Sequence, residues 1–209
     1  MLLAYPQWLA SHPDIQGVRE IVEVNEREMH TISNFQSLPE VIALAEIPEY
    51  RYTETEIRQS LSLVLNGIQD PGNLGTILRV ADWFGIRYVF CDMDCAGAFS
   101  PKCVQASMGA VFRVKTIYTN LVGLLKKFSS PEFHCYGTFL NGENIYKTEL
   151  SAKGFIIMGN EGRGICPELE SCIDSKLTIP SFADSTYSTE SLNVGVATGI
   201  ILSEFKRNN

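Results

Sequence analysis

Beyond residue 60 the chain alternates between short apolar runs and longer stretches with an apolar face. Leu61-Ser62-Leu63-Val64-Leu65 reads as a buried strand. Asn73 to Phe84 follows as a helix, with Leu74, Ile77, Leu78 and Ala81 on one side. Tyr88 to Phe90 is a strand, Pro101 to Met108 a short helix, Val111 to Ile117 a strand and Leu121 to Phe128 a helix. Phe133 to Phe139, Phe155 to Met158 and Lys176 to Ile179 are further strands, and Leu192 to Lys206 is the closing helix. Strands alternating with helices predict an α/β fold, a mostly parallel sheet covered by helices on both faces. Such sheets bind ligands beyond the carboxyl ends of their strands, and the chemistry is expected there.

The first part of the chain is thinner. Arg19 to Val24 and Val41 to Ala45 read as strands around a helix from Asn25 to Ser37, too little for an independent core. The polar, proline-marked stretch from Ile47 to Glu54 reads as a linker. The expected division is a partial domain at 1–50, a linker at 51–60 and a main domain at 61–209.

Charge and cysteine usage narrow the function classes. The 209 residues carry a net charge of −7, which argues against nucleic acid as a partner. Residues 1–65 hold four basic and ten acidic side chains, so the rest is near neutral and has room for a local basic patch. Six cysteines form no C-x-x-C pair and the three histidines are scattered, so no metal site is expected. Unpaired cysteines on apolar strands suit a reducing, cytoplasmic location. No apolar run approaches the roughly 18 residues of a membrane span, and the start lacks the basic and small-residue pattern of a signal peptide.

Three segments look unlike packing. In the first, Asn66 to Arg79, a strand runs through the turn Asp70-Pro71-Gly72 into a helix. Asn73 reads as its cap, and Asn73 and Arg79 could both reach a phosphate or ribose. Taken singly, each also reads as an ordinary cap and an ordinary surface cation. The second is Gly159-Asn160-Glu161-Gly162-Arg163-Gly164, glycines that expose backbone after an apolar strand. It is not a dinucleotide fingerprint, and a solvated glycine turn reads equally well. The third is Ser191-Leu192-Asn193-Val194, opening a helix that is apolar nearly all round. Ser191 fits its N-cap. Asn193, read as a buried amide, is either part of a structural network or a site residue.

In this order the three segments resemble the three motifs of the SpoU (TrmH-type) RNA ribose methyltransferases of the SPOUT superfamily. Asp70 to Gly75 with Arg79 matches the first, Gly159 to Gly164 the second, and Ser191 to Val194 the third. Ser107-Met108-Gly109-Ala110 is similar to the segment between the first two. The likeness spans about residues 61–207. It implies a deep C-terminal trefoil knot, a homodimer built from the knot region and the closing helix, and S-adenosylmethionine as methyl donor without a metal. It implies donor binding by Thr138, Phe139 and Leu140, by Gly159, Asn160, Gly162 and Gly164, and by Ile179, Ser191 and Leu192. Arg79 matches the proposed catalytic position, and Asn73, Glu161, Ser191 and Asn193 match supporting ones. Tyr5 to Ala10 and Ser33 to Glu46 resemble the tail of the small ribosomal-protein-like domain that precedes the knot, with no counterpart here of its first helix and strand. Residues 181–190 are longer than the family's usual gap, and Asn160 stands where serine or alanine is common.

The implied reaction methylates a ribose 2′-hydroxyl in transfer or ribosomal RNA. Alignment supplies on the order of 7–11 kcal/mol at best in such a transfer. Arginine is an awkward general base, so Arg79 is expected either as a desolvated base or, preferably, as a clamp on the neighbouring phosphate. The rival readings are a non-catalytic knotted RNA-binding protein, a knotted methyltransferase acting on a base, and a small-molecule nucleotide-binding enzyme.

Overall fold

A computed structural model describes residues 1–33, 35, 37–183 and 190–207. The chain divides into two units, Met1–Glu49 and Tyr50–Asn209. The first contains β1 (Leu2–Ala4), α1 (Pro6–Ser11), β2 (Ile21–Glu23), α2 (Glu26–Ile32) and β3 (Val41–Ala43). β1 lies between a parallel β2 and an antiparallel β3. Its core is small: Leu2, Ala4, Val24 and Met29 are buried. Asn25 and Glu28 close a reciprocal capping box at the start of α2, with bonds of 2.8 and 3.0 Å. The helix expected to reach Ser37 ends at Ile32; residues 34 and 36 lie outside the described ones. β1 and α1 had no counterpart in the sequence reading, because three apolar residues carry no measurable period.

The second unit begins inside the stretch expected to be a linker. α3 (Glu54–Arg58) is held by a Thr53/Glu56 capping box, and Ile57 is fully buried. Tyr52 packs edge-on against Phe90 at 5.3 Å. Residues 52–57 therefore contribute to the core and are not a bare connector.

There follow β4 (Leu61–Leu65), α4 (Pro71–Trp83), β5 (Tyr88–Cys91), α5 (Pro101–Ser107), β6 (Lys115–Tyr118), α6 (Leu121–Phe128), β7 (His134–Asn144), β8 (Gly154–Met158), α7 (Pro167–Glu170), β9 (Ser175–Thr178) and α8 (Val194–Arg207). The strand order is β6-β5-β4-β8-β7-β9, and every recorded pairing is parallel. The expected mostly parallel α/β sheet is what forms. One strand starts later than expected: of Val111–Ile117 only the last three residues are strand, because Ala110–Phe112 is a single 3-10 turn and β6 starts at Lys115. Met108 (φ 50°) and Gly109 (φ 83°) both adopt the left-handed region and turn the chain before any strand can start.

Alternation along the strands sorts side chains onto two faces. Leu63, Leu65, Val89, Cys91, Ile156 and Met158 face one core with Leu74, Ile77 and Leu78 of α4 and Ile201, Leu202 and Phe205 of α8. Val64, Tyr88, Phe90, Phe155 and Ile157 face the other, with α3, α6 and α7. On that second face Phe155 lies 4.9 Å from Phe133, 5.5 Å from Phe128 and 5.8 Å from Phe90, each nearly perpendicular. α4 and α5 approach closely enough that a Cβ on Gly75 would stand 2.6 Å from the Ala106 Cβ and 2.7 Å from the Cys103 carbonyl oxygen. β7 meets Leu177 of β9 twice, through Thr138 and again through Glu143, with the residues between bulged out.

Phe155 is fully buried at the centre of this aromatic group. Phe155→Ala is expected to cost about 3–5 kcal/mol in urea unfolding, whereas Phe112→Ala, at an exposed ring, should stay within about 0.5 kcal/mol of wild type.

Candidate active site

β8, β7 and β9 are neighbours in the sheet; the loops after β8 and β9 carry expected donor-binding residues, and those of β7, Thr138 to Leu140, lie within the strand at its bulge. Where β7 bulges, Thr138 donates from Oγ1 to the Ile157 carbonyl (3.0 Å), and Thr178 donates to the Leu140 carbonyl (3.0 Å). Phe139 is partly buried beneath the Lys176 ammonium, 4.9 Å from its ring centre, while Leu140 is exposed. Ile179 packs against the first core.

The loop after β8 is a closed turn. Asn160 and Gly164 exchange backbone hydrogen bonds of 3.0 and 2.8 Å. The Asn160 side chain accepts from the Gly162 and Arg163 N–H groups (2.9 and 3.0 Å) and donates to the Gly67 carbonyl (2.8 Å). Its amide thus ties the second motif to the loop that opens the first. Gly159 is obligatory there, since a Cβ would lie 2.4 Å from the Gly164 carbonyl carbon. Beside it, Asn66 donates to Asp92 (2.6 Å) and accepts from the Cys166 N–H (2.8 Å), while the Gly67 N–H donates to both Asp92 oxygens.

Asn73 does not cap α4. Asp70 does, accepting from the Asn73 N–H at 2.9 Å with Pro71 in the first turn. The Lys102 ammonium, 2.7 Å away, and then the Asn73 N–H hold the Asp70 carboxyl below its usual range. With Asp70 as cap, the Asn73 amide is free to point elsewhere. Its Nδ2 donates to Glu161 Oε1 (2.5 Å), and its Oδ1 accepts from Asn193 Nδ2 (2.9 Å).

Asn193, not Ser191, caps α8: its Oδ1 accepts from the Gly195 and Val196 N–H groups at 2.9 and 3.3 Å. It is exposed and stands before the helix, not buried inside it as expected, because α8 starts at Val194. Ser191 and Leu192 are exposed ahead of this cap. Of the longer loop expected at 181–190, positions 184–189 lie outside the described residues.

The structure therefore brings Asn73, Glu161 and Asn193 into one hydrogen-bonded chain. It does not bring Arg79 to them. Arg79 lies six residues after Asn73 on α4, about 9 Å along the axis and about 240° round it. It is exposed, and among the described residues no hydrogen bond or ion pair engages it. The sequence reading missed three groups: Asp70, for which the Asp-Pro step at a helix start was the available signal, and Asn66 and Asp92, which nothing local singles out. Among the described residues no group of three or more His, Cys, Asp or Glu side chains is placed to hold a metal.

Known proteins are similar to this chain in sequence and fold. The model of the SpoU rRNA Methylase family matches residues 60–203. The 23S rRNA (guanosine(2553)-2'-O)-methyltransferase RlmP of Bacillus subtilis is 28% identical over 190 residues, covering 90% of this chain and 73% of that protein. The 23S rRNA (guanosine-2'-O-)-methyltransferase RlmB of Neisseria meningitidis is 34% identical over 149 residues, 70% of this chain and 58% of that protein. Among solved structures, a TrmH-family protein of Porphyromonas gingivalis superposes with a TM-score of 0.83 at 39% identity, covering 100% of this chain and 82% of that one. An AdoMet-bound rRNA methyltransferase of Sinorhizobium meliloti gives 0.78 at 29% identity over 99% and 79% of the two chains. With the family model matching well over half the sequence, and the residues of its three motifs joined in space, the chain belongs to the SpoU rRNA Methylase family.

Proposed function

We propose that this protein transfers the methyl group of S-adenosylmethionine to a ribose 2′-hydroxyl of ribosomal RNA in the cytoplasm. The observation that carries the reading is the Glu161–Asn73–Asn193 chain, which joins three segments far apart in sequence at the carboxyl side of a parallel sheet. The 2'-O-methyltransferase names of the relatives, RlmP and RlmB, support the reaction class. The residues present fit the donor: Leu140 and Leu192 offer exposed apolar surface to a purine, and the glycine turn at 159–164 offers backbone. Thr138, Phe139, Leu140, Gly159, Asn160, Gly162, Gly164, Ile179, Ser191 and Leu192 would hold it. S-adenosylmethionine, when bound, supplies a methyl already activated on a sulfonium, and no metal is needed.

The chain's own residues then align the acceptor. Glu161 is held by Asn73 through one carboxylate oxygen, which leaves the second available to the acceptor. Asn193 sets the start of α8, so Ser191 and Leu192 are placed by a capped helix. Arg79, exposed within one protomer, lacks the burial that a neutral guanidine base needs. The clamp reading is therefore kept: its planar fork grips the phosphate beside the target ribose while another group takes the hydroxyl proton.

The reading includes a trefoil knot formed by the segments around β7, β8 and β9, and RNA contact by the first unit. It also includes a homodimer through the knot region and α8. Val196 of α8 and Trp83 of α4 are exposed apolar side chains on two helices that pack together, the kind of surface that a partner covers. No helix among the described residues is long and apolar enough to cross a membrane.

Incubated with tritiated S-adenosylmethionine and 23S rRNA transcribed in vitro, the wild type is expected to label the RNA, and nuclease digestion should yield a 2′-O-methylated nucleoside. A methylated base or an unlabelled RNA would overturn the reading. Arg79→Ala should lower turnover by at least about 100-fold with donor affinity unchanged by calorimetry; lost donor affinity would refute the clamp. In light scattering the wild type should run as a dimer and Val196→Glu as a monomer, and a monomeric wild type would dismiss the dimer.

A further inference from the structure

From the geometry of the second-motif turn we infer that Arg163 is a positioning residue that grips a backbone phosphate of the RNA; the inference rests on the function proposed above and deepens it. Arg163 sits on the same turn as Glu161, and its backbone N–H is fixed to Asn160 Oδ1 at 3.0 Å. That turn is locked by its own backbone bridge and tied to the Gly67 carbonyl. The guanidinium lies over the first-motif loop: its Nη2 is 3.9 Å from where a Gly67 Cβ would stand. Gly67 has φ +67°, and a side chain there would meet the guanidinium at ordinary contact distance.

Three cations belong to α4, α5 and this turn, and they differ in how they are engaged. Lys102 is already matched by Asp70 at 2.7 Å. Arg79 is taken by the clamp at the reacting ribose. Arg163 is exposed, and among the described residues no acceptor or carboxylate engages its side chain. Glu161, two residues earlier, turns to Asn73 instead. A guanidinium anchored at its backbone, folded across one motif and left without a counter-charge suits bidentate binding of a phosphate. Because the turn that carries it also carries Glu161, a phosphate held there fixes the register of the RNA strand relative to the reacting site.

The test measures binding of 23S rRNA transcribed in vitro between about 50 and 200 mM salt. Arg163→Ala should bind roughly tenfold more weakly, and its plot of log affinity against log salt should be shallower by about 0.7–0.9. In the methylation assay its KM for RNA should rise by the same factor, with kcat at saturating RNA and donor affinity unchanged. Arg163→Lys should restore the slope, since a point charge still releases a counterion. A merely structural role would instead lower donor affinity and the melting temperature, with the salt slope intact, and that pattern overturns the inference. So does an unchanged slope and KM in the alanine variant while the wild type methylates RNA. If the wild type labels no RNA at all, the functional reading fails first and takes this inference with it.

Discussion

One side-chain amide joins the three motifs. Asn73 offers a donor and an acceptor in a fixed plane, and both are used: Nδ2 on Glu161 and Oδ1 from Asn193. Neither bond forms unless Asn73 is released from capping its own helix, and Asp70 with Pro71 accomplishes that. Neutral hydrogen bonds contribute about 0.5–1.5 kcal/mol each and those to charged groups about 1.5–3 kcal/mol. The bonds here are solvent-accessible, so their main effect is geometric. They fix the direction of a carboxylate and the first turn of α8 by reference to a third segment. The order of the sheet makes this feasible. β4 and β8 are adjacent and parallel, so the loops leaving their carboxyl ends start side by side.

Beneath that amide the loops are secured by other polar side chains rather than by packing. Asn160 spans the glycine turn and the Gly67 carbonyl, and Asn66 spans Asp92 and the Cys166 N–H. Each satisfies backbone groups that a loop at the end of a buried strand would otherwise leave exposed or unpaired. The glycines serve the same end. Gly159 admits the returning backbone of Gly164, at a distance no side chain would tolerate. A turn braced in this way fixes the backbone from which the Glu161 and Arg163 side chains project.

What the sequence made legible follows from burial. β4, β5 and β8 are buried along their whole length and read plainly as apolar runs. Two misreadings assigned a helix cap to the wrong residue, and for Asn73 the true partners are remote. Asn73 and Ser191 were given caps because they stand near helix starts. Asp70 and Asn193 hold those positions, and the Asn73 amide reaches across 88 and 120 residues instead. Val111 to Ile117 carried β-forming side chains, but the two left-handed residues before it decide the backbone. The capping box at Thr53 and Glu56 was readable in the sequence, and the linker assignment passed over it. The adjacency of β4 and β8 was not readable, since nothing local encodes which strands become neighbours.

Net charge is a poor guide to the partner of this chain. At physiological salt, fields between exposed charges decay over about 8 Å, so an excess of seven negative charges says little about the surface around one turn. What counts there is the balance of paired and unpaired groups. Asp70 is cancelled by Lys102, and Glu161 is directed to a neutral amide. Arg79 and Arg163 are exposed, each without a carboxylate partner among the described residues. Two exposed guanidinium groups thus stand without a carboxylate partner in a chain that is acidic as a whole, while Glu161 and Asp92 keep their charge on neutral donors. An acidic background therefore neither marks nor excludes a binding surface, which depends on the groups exposed at each loop and on how each is paired.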